Sequence, residues 1–100
     1  MYRIVIDRRA QDEVARLPAH ARARLATYIA RELTYEPMRT TAHKKRLRPL
    51  KVPWSRQAEQ PWQLAVEPYR VFYDVDETDK VVFVRLVRRK PPGKKTEEIR

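Results

Sequence analysis

The sequence predicts a single α+β domain: an antiparallel sheet with an N-terminal helical hairpin packed on one face, in the order β-α-α-β-β-β-β. Three observations predict it. Apolar residues recur at helical spacing through the first third of the chain, and at period two at Tyr2–Ile6 and again after Pro61. Prolines stand at the ends of these runs, at Pro18, Pro37, Pro61, Pro68 and Pro91, where an element must stop or start. The last three strand-like runs are separated by segments of turn length, which makes them an antiparallel meander.

Each element has its own reason. Tyr2, Ile4 and Ile6 alternate with Arg3 and Val5, the pattern of a strand rich in β-branched residues. Asp7 is placed to cap a helix whose apolar positions are Ala10, Val14 and Leu17, with Asp12 and Glu13 early enough to suit the helix dipole. Pro18 ends that helix and opens the next. The second runs from Ala19 to Glu36, with Leu25, Tyr28, Ile29 and Leu33 on one face, and Pro37 stops it. Met38–Arg46 is polar and basic and reads as a loop. Leu47, Leu50 and Val52 suggest a short strand, which Pro49 confines to an edge. Another loop is expected from Pro53 to Pro61. Trp62, Leu64 and Val66 mark a half-buried strand, and Glu67-Pro68-Tyr69 a tight turn. Val71, Tyr73 and Val75 mark the next strand. Asp76-Glu77-Thr78-Asp79 is a turn cluster, more so than a divalent-metal loop, since it lacks the glycine of such loops. Val81–Val87 is apolar on both alternations and reads as a strand buried on both faces. The expected core is Ile4, Ile6, Val14, Leu17, Leu25, Ile29, Leu33, Leu64, Val71, Tyr73, Val82, Val84 and Leu86. The domain should occupy residues 1–90, with a basic tail or short helix at 91–100.

Composition excludes several function classes. A chain of 100 residues suffices for one domain. It has no cysteine, which removes disulfides and thiolate-held zinc or iron–sulfur centres. His20 and His43 are too few for a multi-histidine metal site, so no metal or cofactor is expected. The one glycine, Gly93, excludes Gly-rich phosphate loops. No apolar run reaches membrane-spanning length, and the N-terminus lacks the apolar stretch of a signal peptide; a cytoplasmic protein without a membrane partner is the expectation. Ser55, the one serine, stands in a proline-flanked loop and suits a turn better than a nucleophile.

The charge is the positive clue. Lysine and arginine number 23 against 13 acids, a formal +10, while hydrophobic residues make up 42%, too many for a disordered basic tail. A folded basic domain attracts polyanions. Two windows contain no acid: Arg39–Arg56, with Lys44, Lys45, Arg46, Arg48, Lys51 and Arg56, and Lys80–Lys95, with Arg85, Arg88, Arg89, Lys90, Lys94 and Lys95. Either alone is a solvated face; together they point to a binding surface for nucleic acid or an acidic protein partner. Cations suffice to cleave RNA, because the 2′-hydroxyl is the nucleophile, guanidinium forks can stabilise the phosphorane-like transition state, and an amine can take the proton. Arg70 stands on the face of its strand opposite Val71, Tyr73 and Val75. A surface strand arginine fits that position equally well.

The order of elements resembles the RelE/ParE toxin superfamily of bacterial type II toxin–antitoxin systems. The resemblance is carried by Lys45-Arg46-Leu47-Arg48-Pro49-Leu50, by Pro61-Trp62-Gln63-Leu64-Ala65-Val66, by Pro68-Tyr69-Arg70-Val71-Phe72-Tyr73-Asp74-Val75, and by Val81–Lys90. It implies a growth-inhibiting toxin that cleaves messenger RNA in the ribosome, or, for the ParE branch, poisons DNA gyrase. A plain nucleic-acid-binding module is the further alternative. The resemblance implies catalytic roles for Arg70 and for Arg89 or Lys90. It also implies two strand lysines where Gln63 and Ala65 stand, and a late tyrosine where none follows Tyr73. The implied partner is an antitoxin protein, with operator DNA bound only through the antitoxin complex.

Overall fold

The computed structural model describes residues 1–47 and 61–90. Their order is β1 (Arg3–Ile6), α1 (Arg8–Ala15), α2 (Ala19–Leu33), β2 (Lys44–Arg46), β3 (Pro61–Val66), β4 (Tyr69–Asp76) and β5 (Val81–Arg89). Among the described residues the sheet runs β1-β5-β4-β3-β2. The expected meander β3-β4-β5 is antiparallel, and β2 joins β3 antiparallel. The sheet is nonetheless mixed. β1 pairs with β5 in parallel, from Arg3↔Val81 to Ile6↔Val84, because the helices and three strands between them return the chain in the same direction.

One sheet face carries the core. Leu25, Ile29 and Leu33 of α2 and Ala10 of α1 pack with Trp62, Leu64 and Val66 of β3, Val71 and Tyr73 of β4, and Val82, Val84 and Val87 of β5. Ile4, Ile6, Val14 and Leu17 pack against this cluster and are only half-buried. Tyr73 is fully buried, stacks on Trp62 at 6.4 Å between ring centroids, and donates its hydroxyl to the Pro37 carbonyl at 2.6 Å. Burial holds its phenol well above the ordinary pKa, with the Glu32 charge adding to the effect.

Four features depart from the expectations. The strand before β3 is Lys44–Arg46, a stretch expected to be loop; Leu47 follows it, and Leu50 and Val52 lie outside the described residues. Helix α2 ends at Leu33 rather than Glu36. Asp7 holds the N-cap position of α1 without a side-chain capping bond, because its carboxylate is engaged by Arg85. Leu86 is buried, but on the face away from the helices, because β5 contains a β-bulge. Phe72 pairs with Leu86 and Tyr73 with Val84, so Arg85 is the extra residue. The expected turns are present: Asp76 accepts backbone N–H bonds from Thr78 and Asp79, and Lys80 closes the hairpin with φ of 55°.

Candidate phosphate-binding site

The pairing register defines what stands on the sheet face opposite α1 and α2, which is helix-free among the described residues. One row across the sheet is Ala65, Arg70 and Arg88; the next is Lys45, Gln63, Phe72 and Leu86. Arg70 and Arg88 are therefore direct cross-strand neighbours. Two cations in that relation repel each other and destabilise a sheet unless anions attend them.

Two carboxylates attend them. Arg70 is 4% exposed. Its Nη2 donates to Glu67 Oε1 at 3.0 Å and its Nη1 to the Tyr69 carbonyl at 3.0 Å, while its Nε is buried without a hydrogen-bond partner. Glu67 lies in the β3–β4 turn with an exposed carboxylate, and the Arg70 hydrogen bond holds its pKa below the usual carboxylate value, with the charges of Arg70, Lys90 and Arg24 adding to the effect. Arg88 Nε lies 2.9 Å from Glu13 Oε2, an ion pair in contact although poorly directed for a hydrogen bond. The other oxygen of Glu13 accepts the Val87 N–H at 2.8 Å. Glu13 thus covers the edge of β5 that β1 leaves open after Ile6.

The remaining candidates spread over several surfaces. Arg89 pairs with Tyr69 on the opposite alternation from Arg88 and is exposed. Lys90 is half-buried at the same end of the sheet, its N–H bonded to the Pro68 carbonyl at 2.9 Å. Lys45 is half-buried on the Arg70 face, and Arg46 is exposed on the other alternation of β2. Lys44 is 3% exposed and turned to the helices, its ammonium bonded to the Glu32 and Glu36 carbonyls at 2.9 and 2.8 Å. It serves the end of α2 rather than a surface. Arg48, Lys51, Arg56, Lys94 and Lys95 lie outside the described residues. Gln63 and Ala65, which stand where the resemblance implies lysines, do share the helix-free face with Arg70; Gln63 is buried and its Oε1 has no hydrogen-bond partner.

Glu67 and Glu13 were not legible as site residues. The signal for Glu67 is its i, i+3 spacing to Arg70 across a turn; nothing local marks Glu13, which reaches the site from α1. Among the described residues there is no group of three or more histidine, aspartate or glutamate side chains that could hold a metal ion, and no helix is long and apolar enough to cross a membrane.

A sequence model of the ParE toxin of the type II toxin–antitoxin system parDE matches residues 4–91. The chain belongs to this toxin family. Solved structures agree with its fold. The archaeal RelE–RelB complex from Pyrococcus horikoshii OT3 matches with a TM-score of 0.70 at 23% identity, over 94% of this chain and 98% of that one. The toxin–antitoxin complex RelBE2 from Mycobacterium tuberculosis matches with a TM-score of 0.70 at 21% identity, over 89% and 98%. The isolated E. coli RelE toxin matches with a TM-score of 0.67 at 25% identity, over 94% and 89%. A search of curated protein sequences finds no match. The chain is thus a type II toxin of the RelE/ParE superfamily.

Proposed function

We propose that this toxin stops growth by cleaving messenger RNA on the ribosome, with Arg70 and Arg88 gripping the scissile phosphate. The observation that carries the reading is their cross-strand adjacency. A phosphodiester between them relieves the repulsion and offers an acceptor to guanidinium donors. Cleavage proceeds by attack of the 2′-oxygen on the neighbouring phosphorus. The O2′–P bond forms, the P–O5′ bond breaks, and the products are a 2′,3′-cyclic phosphate and a 5′-hydroxyl. The 2′-hydroxyl proton goes to a base, and the leaving 5′-oxygen takes up a proton. Glu67 is the base the geometry offers, since its exposed carboxylate is ionised at neutral pH and lies against Arg70. Lys90 and Arg89, at the same end of the sheet, add positive charge for the dianionic transition state.

The test is primer extension on messages from cells in which the toxin is induced. Cuts inside translated codons, absent for Arg70→Met, are expected. The ParE family match favours a second reading, a DNA gyrase poison, and intact messages with stalled replication would transfer the assignment to it. Overexpression without growth arrest would leave a plain nucleic-acid-binding module.

A further inference from the structure

The alternation of β5 does not by itself place Arg88 beside Arg70. Val82 and Val84 face the helices, so uninterrupted alternation would turn Leu86 and Arg88 to the helices too, and put Val87 and Arg89 on the other side. The bulge at Arg85 reverses this: Arg85 and Leu86 both lie on the helix-free face, Val87 returns to the core, and Arg88 comes opposite Arg70. The pairing of the two arginines depends on one extra residue.

That residue is held from two sides. Arg85 Nε donates to Asp74 Oδ2 at 2.9 Å, and Asp74 on β4 is 1% exposed. Arg85 Nη1 donates to Asp7 Oδ2 at 3.0 Å, and Asp7 is the residue between β1 and α1. The guanidinium also lies 4.9 Å from the Phe83 ring centroid. The backbone is tied at the same place, where the Asp7 N–H donates to the Val84 carbonyl at 2.9 Å. Three strands therefore meet at this cluster.

We propose that the Asp7–Arg85–Asp74 cluster is a positioning device for RNA binding: it fixes the β5 bulge and so sets Arg88 beside Arg70. The inference rests on the reading of that face as a phosphate site. It makes a prediction opposite in sign to plain electrostatics. Replacing an acid by its neutral amide makes a basic protein more positive, which by charge alone strengthens RNA binding. If the cluster positions Arg88, the amide variants weaken it.

The experiment uses the whole toxin, a single-stranded oligouridylate, and variants Asp7→Asn, Asp74→Asn, Arg88→Met and Asp7→Asn/Arg88→Met. Affinity is titrated at several salt concentrations, and nuclear Overhauser contacts between the Arg70 and Arg88 backbones are recorded on labelled protein. Asp7→Asn and Asp74→Asn should bind RNA about 3- to 10-fold more weakly, with a salt slope reduced by about 0.7, the value for one lost phosphate contact on a single strand. Asp7→Asn should add little to Arg88→Met, and the Arg70–Arg88 contacts should fade. Asp7, half-buried at a helix start, is the milder change if Asp74→Asn does not fold. Unchanged or tighter binding by Asp7→Asn, or an intact Arg70–Arg88 contact pattern, overturns the inference. Failure of the unmodified toxin to bind RNA overturns the phosphate-site reading instead, and the backbone contacts still decide whether the cluster sets the register.

Discussion

The carboxylate of Glu67 and an RNA phosphate both seek the Arg70 guanidinium, so the residue proposed as base is also an intramolecular competitor. Glu67→Gln removes both roles. RNA affinity should rise about 2- to 5-fold, the size of an exposed ion pair, while cleavage should fall by about 10²-fold or more, the usual worth of a general base. Titration and cleavage assays on the same protein check the split; a parallel loss of both would mean that Glu67 is structural. The pH dependence follows with a definite sign. Arg70 depresses the carboxyl pKa in the folded state, so this pair's stabilisation is present above the ordinary carboxylate value and is lost as pH falls through the lower folded value. The group is exposed, so that stabilisation amounts to a few tenths of a kcal/mol. It is best seen as a difference between the parent and Glu67→Gln in urea melts from pH 6 to pH 3. Tyr73 is the contrasting case. Its hydroxyl is buried against the Pro37 carbonyl, and Tyr73→Phe leaves that acceptor without its donor, at an expected cost of about 1–2 kcal/mol in urea unfolding with no loss of RNA binding.

At the scale of elements, legibility followed whichever force placed each segment. The helices and β3–β5 are positioned by apolar periodicity, and Leu25, Ile29, Leu33, Leu64, Val71 and Tyr73 are buried where that periodicity put them. β2 is positioned by a charge. Lys44-Lys45-Arg46 has no apolar residue to reveal a strand, yet Lys44 is buried because its ammonium satisfies the Glu32 carbonyl in the last turn of α2, where a cation also opposes the helix dipole, and the Glu36 carbonyl just beyond it. Lys44→Met keeps the stem and removes the bonds. It should destabilise the domain by about 2–3 kcal/mol, two charge-assisted hydrogen bonds less the regained desolvation, and speed amide exchange at Leu33 and Thr34 before it affects β4. A melt unchanged within error would show that water replaces the ammonium at no cost. The parallel β1–β5 pair and the β5 bulge were illegible for different reasons. The first joins segments at opposite ends of the chain. The second lies in Val81–Val87, where apolar residues on both alternations hide a change of phase, and Arg85 inside that run was its one visible sign. Arg70 fits its strand's alternation as an ordinary surface arginine would, and only the resemblance singled it out; the resemblance pointed to Arg89 or Lys90, and the place of Arg88 beside Arg70 emerges only with the register.

For the whole molecule, a charge of +10 and a family defined by toxin–antitoxin pairs govern how the partner arrives. An acidic antitoxin segment is drawn by the summed field before any contact forms, so its association rate should fall steeply as salt rises. The two candidate arginines differ in exposure, and different effects are expected of them. Arg89 is exposed and carries no carboxylate partner in the described contacts, so it contributes to the long-range field. Arg70 is buried and tied to Glu67, so it is expected to matter only if an antitoxin carboxylate takes the place of Glu67. Stopped-flow binding of the cognate antitoxin peptide should therefore show Arg89→Glu slowing association about 3- to 10-fold at low salt and little at high salt. Arg70→Glu should act mainly on dissociation, as expected of a charge reversed inside an interface rather than at its rim. If both variants change the association rate equally, the antitoxin contacts the two arginines at one exposed surface. If neither changes any rate, it lands elsewhere on the fold, and the helix-free face is kept for RNA alone.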